Sequence, residues 1–178
     1  MLSPRERQTI LGFVRSVIAA AAGGGPDPEV PPLPLLDEPG ACFVTLREGA
    51  DIRGCIGSAE VFESLADNLR RNAVNAAFSD PAFPPLELDE LNYVTIEVAL
   101  PSVPRRTAPE AVVPGRDGVI IETAGGRRAL LLPEVAAAQN WNREELLAHL
   151  ARKAGADDSA PNSPDTIIHT FQTERFSE

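Results

Sequence analysis

The cysteine within Arg53-Gly54-Cys55-Ile56-Gly57 is the first candidate for chemistry in this sequence. Cys55 stands between Gly54 and Gly57, so the backbone of a substrate or partner could approach its sulfur closely. The guanidinium of Arg53, two residues away, would favour the nucleophilic thiolate. The alternative is a small buried hydrophobe in a turn, where the glycines supply unusual backbone dihedrals. We take Cys55 as the candidate nucleophile, with Arg53, Gly54 and Gly57 as candidate binding residues.

Three further polar residues lie near the end of the second predicted helix and extend the candidate binding set. Asn72 and Asn75 are three residues apart and share a helix face, and Asp80 follows the helix. On an alanine-rich helix, these side chains either bind a ligand at a cleft or form the solvated face. The solvated face is the commoner arrangement, so both interpretations stay open.

The sequence contains few side chains that could activate a cysteine nucleophile or hold a metal ion. A nucleophilic cysteine usually relies on a base, and the only histidines, His149 and His169, lie in no recognisable motif. Cys42 and Cys55 are the only cysteines and are too far apart for a Cys-x-x-Cys pair. We therefore predict reduced thiols, no metal site and no cofactor.

Local patterns predict the elements that position these residues. A capping box over Ser3-Pro4-Arg5-Glu6 opens a first helix, which ends at the glycines of residues 23–25. The stretches 41–46 and 51–56 predict a hairpin with Cys55 at its end. Apolar spacing from Phe62 to Ala77 predicts a second helix, which Asp80 and Pro81 end.

The second half of the chain continues the mixture of helices and hairpins. Residues 93–100 alternate as a half-buried strand, and 118–132 read as a second hairpin. A capped helix follows over 142–155, and residues 166–171 predict a closing strand. Without regular βαβ alternation, the pattern predicts an α+β fold with a mainly antiparallel sheet and helices packed on it.

The apolar residues of the first helix need a partner within that fold. Ile10, Leu11, Val14 and Phe171 otherwise lack apolar neighbours. We expect the first helix and the strand over 166–171 to pack on the same sheet.

The length, net charge and apolar content of the chain bear on whether it binds nucleic acid or a membrane. A chain of 178 residues suits one domain, and its net charge of −10 would repel a phosphate backbone. Nucleic acid is therefore an unlikely partner. No apolar run approaches the ~18 residues of a membrane span, so we expect no membrane association and a cytoplasmic location.

Several ordered segments resemble one known family, the AMMECR (AMME chromosomal region) domain family. They are Cys42-Phe43-Val44-Thr45-Leu46, Arg53-Gly54-Cys55-Ile56-Gly57, residues 75–86, Gly118-Val119, residues 131–135, Trp141 and Lys153-Ala154-Gly155. The resemblance spans most of the chain. Bacterial members of this family resemble protein A of the AmmeMemoRadiSam system.

The resemblance implies one domain over residues 1–178, with a large body, a smaller lobe and a cleft near residues 53–57. It also implies association with Memo-type and radical S-adenosylmethionine proteins, without an established activity. The chain departs from the family pattern at Ile52, where leucine is usual, and at Ala82, where arginine is usual. The missing guanidinium could have bound an anion or paired with Asp80.

Three hypotheses for function follow. The leading one is a small-molecule-handling enzyme or accessory protein that acts through a cleft around Cys55, whose sulfur should react faster than that of Cys42. The second is a noncatalytic interaction or regulatory module that docks a partner on proline-rich residues 31–36 and 81–86. The third, RNA or nucleotide binding, has no phosphate-loop motif and opposes the chain's charge.

Overall fold

The computed structural model describes all residues from 1 to 178. The chain forms two compact units, the first made of residues 1–100 and 174–178 and the second of residues 101–173. Each unit contains one four-stranded sheet and its own apolar core. The predicted α+β class is confirmed, and the single domain over residues 1–178 stays a prediction.

Four α-helices and eight β-strands make up the two units. The helices are α1 (Pro4–Gly23), α2 (Leu65–Phe78), α3 (Pro133–Gln139) and α4 (Arg143–Lys153). The strands are β1 (Phe43–Glu48), β2 (Asp51–Gly57), β3 (Val94–Pro101), β4 (Arg105–Thr107), β5 (Gly118–Glu122), β6 (Arg128–Leu131), β7 (Ile167–Phe171) and β8 (Thr173–Ser177). The first sheet has the order β2-β1-β3-β8 and the second β4-β7-β5-β6. None of the helices has the length and apolar character needed to cross a membrane.

The core of the first unit lies on one face of its sheet. Val44 and Leu46 of β1 and Ile96 of β3 are fully buried in the same apolar cluster as residues from α1 and α2. Because successive side chains of a strand point to opposite faces of the sheet, the residues between these buried ones face away from the helices. The capping box of α1 is present as predicted, with Ser3 accepting from the Glu6 amide.

Two expectations for the first unit are wrong. Phe171 lies in β7 of the second sheet, and it is Phe176 of β8 that packs in the core with α1. Two alternating strands follow each other within residues 166–177, and alternation alone does not say which sheet each strand joins. Helix α2 begins after Ser64, whose side chain accepts from the Asp67 amide, so Phe62 lies outside the helix and is exposed.

The second unit packs α4 against its sheet. Leu146 and Leu150 of α4 are buried with Ile121 of β5 and Ile168 of β7. The hairpin of β5 and β6 and the capping box before α4 occur where the sequence predicts them. Helix α3 and the short strands β4 and β8 are elements that the sequence patterns did not predict.

Candidate functional site

Cys55 lies on β2, which is the edge strand of the first sheet. Strand β2 pairs antiparallel with β1, and Cys55 stands opposite Thr45. The register shifts beyond that pair, because Gly54 is opposite Leu46 while Ile52 is opposite Arg47. Arg53 is therefore the extra residue of a β-bulge, a device that redirects a side chain at a sheet edge.

Gly54 and Gly57 bring parts of the protein's own backbone together. A Cβ atom on Gly54 would lie 2.1 Å from the carbonyl oxygen of Ala76 in α2, and one on Gly57 would lie 2.4 Å from the Cα of Phe43. Neither glycine has a positive φ, so the expectation of unusual dihedrals is wrong. The two glycines let β2 approach α2 on one side and β1 on the other.

Arg53 fastens the proline-rich loop of residues 81–86 to β2. Its Nε and Nη2 bond the two carboxylate oxygens of Glu90 at 2.9 and 3.0 Å, a bidentate pair. Its Nη1 donates to the carbonyl of Pro84 at 2.9 Å, and Nη2 donates to that of Pro85 at 3.4 Å. The hydrogen bonds from Arg53 lower the pKa of Glu90. All three guanidinium nitrogens thus hold the loop and the turn that follows it.

Asp80 binds the backbone of the candidate nucleophile. Its Oδ2 accepts from the Cys55 amide at 2.8 Å, and its Oδ1 accepts from the Ala82 amide at 2.9 Å. An edge strand leaves outward amides without a strand partner, and here the carboxylate supplies the acceptor. The structure therefore brings Asp80, one of the predicted site residues, against the backbone of Cys55. The Ala82 side chain is exposed.

The asparagines of α2 face the start of β1. Asn72 is 1% exposed, so the solvated-face interpretation is wrong for this residue. Its Nδ2 donates to the Cys42 carbonyl at 3.0 Å and to the Oδ1 of Asn68 at 2.9 Å. The same Asn68 oxygen accepts from the Cys42 amide at 2.9 Å. Asn75, one turn later, is half-buried.

Asn68 is part of this network, although the sequence reasoning missed it. Its spacing of four residues from Asn72 was the available signal, because residues four apart share a helix face. The network surrounds Cys42, which is fully buried. Burial raises the pKa of the Cys42 thiol to about 12, so this cysteine is protonated at neutral pH and inert.

The Cys55 side chain belongs to a polar row that crosses the sheet. Its Sγ lies 3.1 Å from the Oγ1 of Thr45, which is 6% exposed. Thr45 stands opposite Glu97 of β3, whose carboxylate bonds Arg175 Nη2 at 2.6 Å and lies 3.8 Å from Arg47 Nε. These residues alternate with the buried ones, so the polar row lies on the sheet face away from α1 and α2.

The histidines lie in the second unit. His149 of α4 stacks on Trp141 with ring centroids 3.9 Å apart and an interplanar angle of 10°. His169 of β7 stands between Arg106 and Ile120 in the strand register. No group of three or more histidine, cysteine or acidic side chains is arranged to hold a metal ion.

Comparisons with known proteins agree with the fold and identify the family. Residues 11–176 match the AMMECR1 family. A protein of Methanothermobacter thermautotrophicus is 34% identical over 186 residues, which cover 99% of this chain and 96% of the relative. Protein MJ0810 of Methanocaldococcus jannaschii is 37% identical over 153 residues, covering 81% and 76%. The crystal structure of uncharacterized protein PH0010 from Pyrococcus horikoshii has a TM-score of 0.87 and 32% identity, covering 95% of this chain and 89% of that one. The chain therefore belongs to the AMMECR1 family.

Proposed function

We propose that the chain handles a small molecule through the sulfur of Cys55, as an enzyme or as an accessory protein in a pathway with Memo-type and radical S-adenosylmethionine proteins. The observation that carries the proposal is the half-buried Cys55 sulfur, 3.1 Å from the buried Thr45 hydroxyl in the polar row. The cleft expected around residues 53–57 would give the substrate access to this face.

Hydrogen-bonding and cationic groups lie in the polar row with Cys55. The Thr45 hydroxyl and the Cys55 thiol can each donate in their contact, and a hydroxyl that donates to the sulfur stabilises its charged form more than its neutral one. The polar row also holds two guanidinium groups, of Arg47 and Arg175, against the single carboxylate of Glu97. A thiolate stabilised in this way attacks an electrophilic centre without a neighbouring histidine base. This accounts for a cysteine nucleophile whose sequence offers no histidine motif.

The second candidate function is a noncatalytic docking module, and the observation that favours it is an exposed apolar pair. Phe62 is 76% exposed and Val61 46%, in the loop between β2 and α2. The proline-rich loop of residues 81–86 supports docking less well. The Pro84 and Pro85 carbonyls already accept from Arg53, and the Leu86 amide donates to the Ala77 carbonyl at 2.7 Å.

Alkylation with iodoacetamide at neutral pH, followed by mass spectrometry, tests the leading proposal. Cys55 should be labelled faster than the buried Cys42, which serves as an internal control in the same molecule. Thr45→Val removes the hydroxyl and keeps the shape, so it should slow Cys55 labelling several-fold while leaving Cys42 unchanged. A native protein in which Cys55 stays unlabelled while the unfolded chain labels fully would contradict the proposal.

Binding of partners separates the two candidate functions. Cys55→Ser should retain binding to a Memo-type protein in a pull-down if the chain docks by shape, and should lose any turnover if the sulfur reacts. Phe62→Ser should act in the opposite sense, weakening docking without slowing the alkylation of Cys55. A weaker pull-down by Cys55→Ser, or slower alkylation of Cys55 in Phe62→Ser, would contradict this division of roles.

A further inference from the structure

The second unit contains a cavity of about 440 Å³. None of the residues that line it belongs to the polar row of the first unit. Its volume lies within the range of small-molecule sites. The polar residues that line it are Ser102, Arg105, Arg116, Asp117, Thr170 and Gln172.

Two donors in this cavity have no partner within the protein. Arg105 of β4 stands opposite Thr170 of β7, so their side chains are neighbours on the same sheet face. The Arg105 guanidinium forms no ion pair or hydrogen bond, and the Thr170 hydroxyl forms no hydrogen bond. At least nine other arginines of this acidic chain pair with carboxylates. An arginine left unpaired in such a chain is available for an external anion.

The carboxylate in the cavity wall is already neutralised. Burial raises the pKa of Asp117, but the hydrogen bonds of Arg116 and the Val113 amide outweigh burial and lower it. Arg116 bonds both carboxylate oxygens, at 2.8 and 2.9 Å, and the Val113 amide donates at 2.9 Å. The charges of Arg116 and Asp117 cancel, so Arg105 leaves the wall with a net positive charge.

A third donor completes the arrangement. The Oγ of Ser102 accepts from the Gln172 amide at 3.0 Å, which leaves the hydroxyl proton of Ser102 free to donate. The cavity therefore offers a guanidinium fork and two hydroxyl donors, with no unneutralised carboxylate. Several donors of this kind suit the many acceptor oxygens of a tetrahedral oxyanion better than the two of a planar carboxylate.

We propose that this cavity binds a phosphate group, either free or carried by a small molecule, with Arg105, Thr170 and Ser102 as donors. The site is separate from Cys55 and does not rest on the function proposed above.

The strand itself supplies a matched control for the test. Arg105 and Arg106 are adjacent and both exposed, and Arg106 also has no ion pair, but only Arg105 lines this cavity. Arg105→Gln and Arg106→Gln therefore remove the same charge from the same strand. Titration calorimetry with inorganic phosphate and with phenyl phosphate, at low ionic strength where charge effects are largest, measures the difference.

Arg105→Gln should weaken phosphate binding about ten-fold or more, because it removes a charge-assisted contact, while Arg106→Gln should change it less than about two-fold. Thr170→Val should weaken it by about five-fold, because it removes one hydrogen bond from an uncharged donor to the anion. Tighter binding of phenyl phosphate than of inorganic phosphate supports a phosphate carried by a small molecule, and equal binding supports the free ion. Absence of saturable binding to the parent protein, or equal losses in the two arginine variants, would overturn the proposal. The thermal midpoint of each variant shows whether a loss reflects unfolding.

Discussion

Gly54→Ala tests whether the glycines of the motif serve packing or substrate access. A Cβ atom at this position would lie 2.1 Å from the Ala76 carbonyl oxygen and 3.1 Å from its carbonyl carbon. Both atoms belong to the backbone of α2, so no side-chain rotation can relieve the clash. Overpacking of this kind costs about 1–3 kcal/mol, and a rigid backbone neighbour places the expected cost near about 3 kcal/mol. At about 2–4 °C per kcal/mol, the thermal midpoint should fall by about 6–12 °C.

Gly12→Ala is the matched control for this substitution. Gly12 lies within α1, and a Cβ atom there would meet no other atom within 4 Å. The same chemical change should stabilise the chain by about 0.5–1 kcal/mol, because alanine is the better helix former. Thermal and urea unfolding followed by circular dichroism would measure both variants. If Gly54→Ala unfolds at the parent midpoint while Cys55 alkylation slows, the packing argument is refuted and substrate access becomes the better account.

Two other substitutions test the electrostatic arrangement. Arg53→Gln removes the bidentate pair with Glu90, which should lower the free energy of unfolding by about 1.5–3 kcal/mol and release the loop of residues 81–86. Limited proteolysis should then cut that loop faster, and an unchanged cleavage rate would contradict the anchoring role. The lowered pKa of Asp117 means that its contribution to stability is complete above the unfolded-state value of about 3.9 and is lost as pH falls through the lower folded-state value. Urea midpoints measured from pH 6 down to pH 2 should therefore fall less steeply for Asp117→Asn than for the parent, and parallel profiles would count against this assignment.

Features set by neighbouring residues could be predicted from the sequence. The capping boxes at Ser3 and Asn142 predicted the starts of α1 and α4, because each box is closed within four residues. The hairpin of β1 and β2 followed from two β-rich stretches around a turn at Gly49, whose φ of 59° is left-handed. Local chemistry was sufficient in each of these cases.

Features set by pairing between distant strands could not be predicted. The alignment of Cys55, Thr45 and Glu97 depends on two strand registers that only the folded sheet fixes. The bulge at Arg53 interrupts the alternation of side chains along β2, and the Arg53 side chain bonds Glu90, which lies 37 residues later in the chain. The pattern of polar residues on α2 did not say whether Asn72 meets solvent or β1.

The structural roles of its neighbours sharpen the case for Cys55. Arg53 anchors a loop, and Gly54 and Gly57 admit the backbones of α2 and β1. Ile56 packs against the apolar core, which leaves Cys55 as the member of the motif whose side chain joins the polar row. Asp80 fixes its amide, so contacts on both sides of β2 determine where the sulfur lies. Packing alone would not require sulfur at a half-buried position, since alanine or serine would satisfy the same backbone contacts. Under the proposed function, the motif is a support that holds the Cys55 sulfur in place, and loss of the sulfur should leave the support intact.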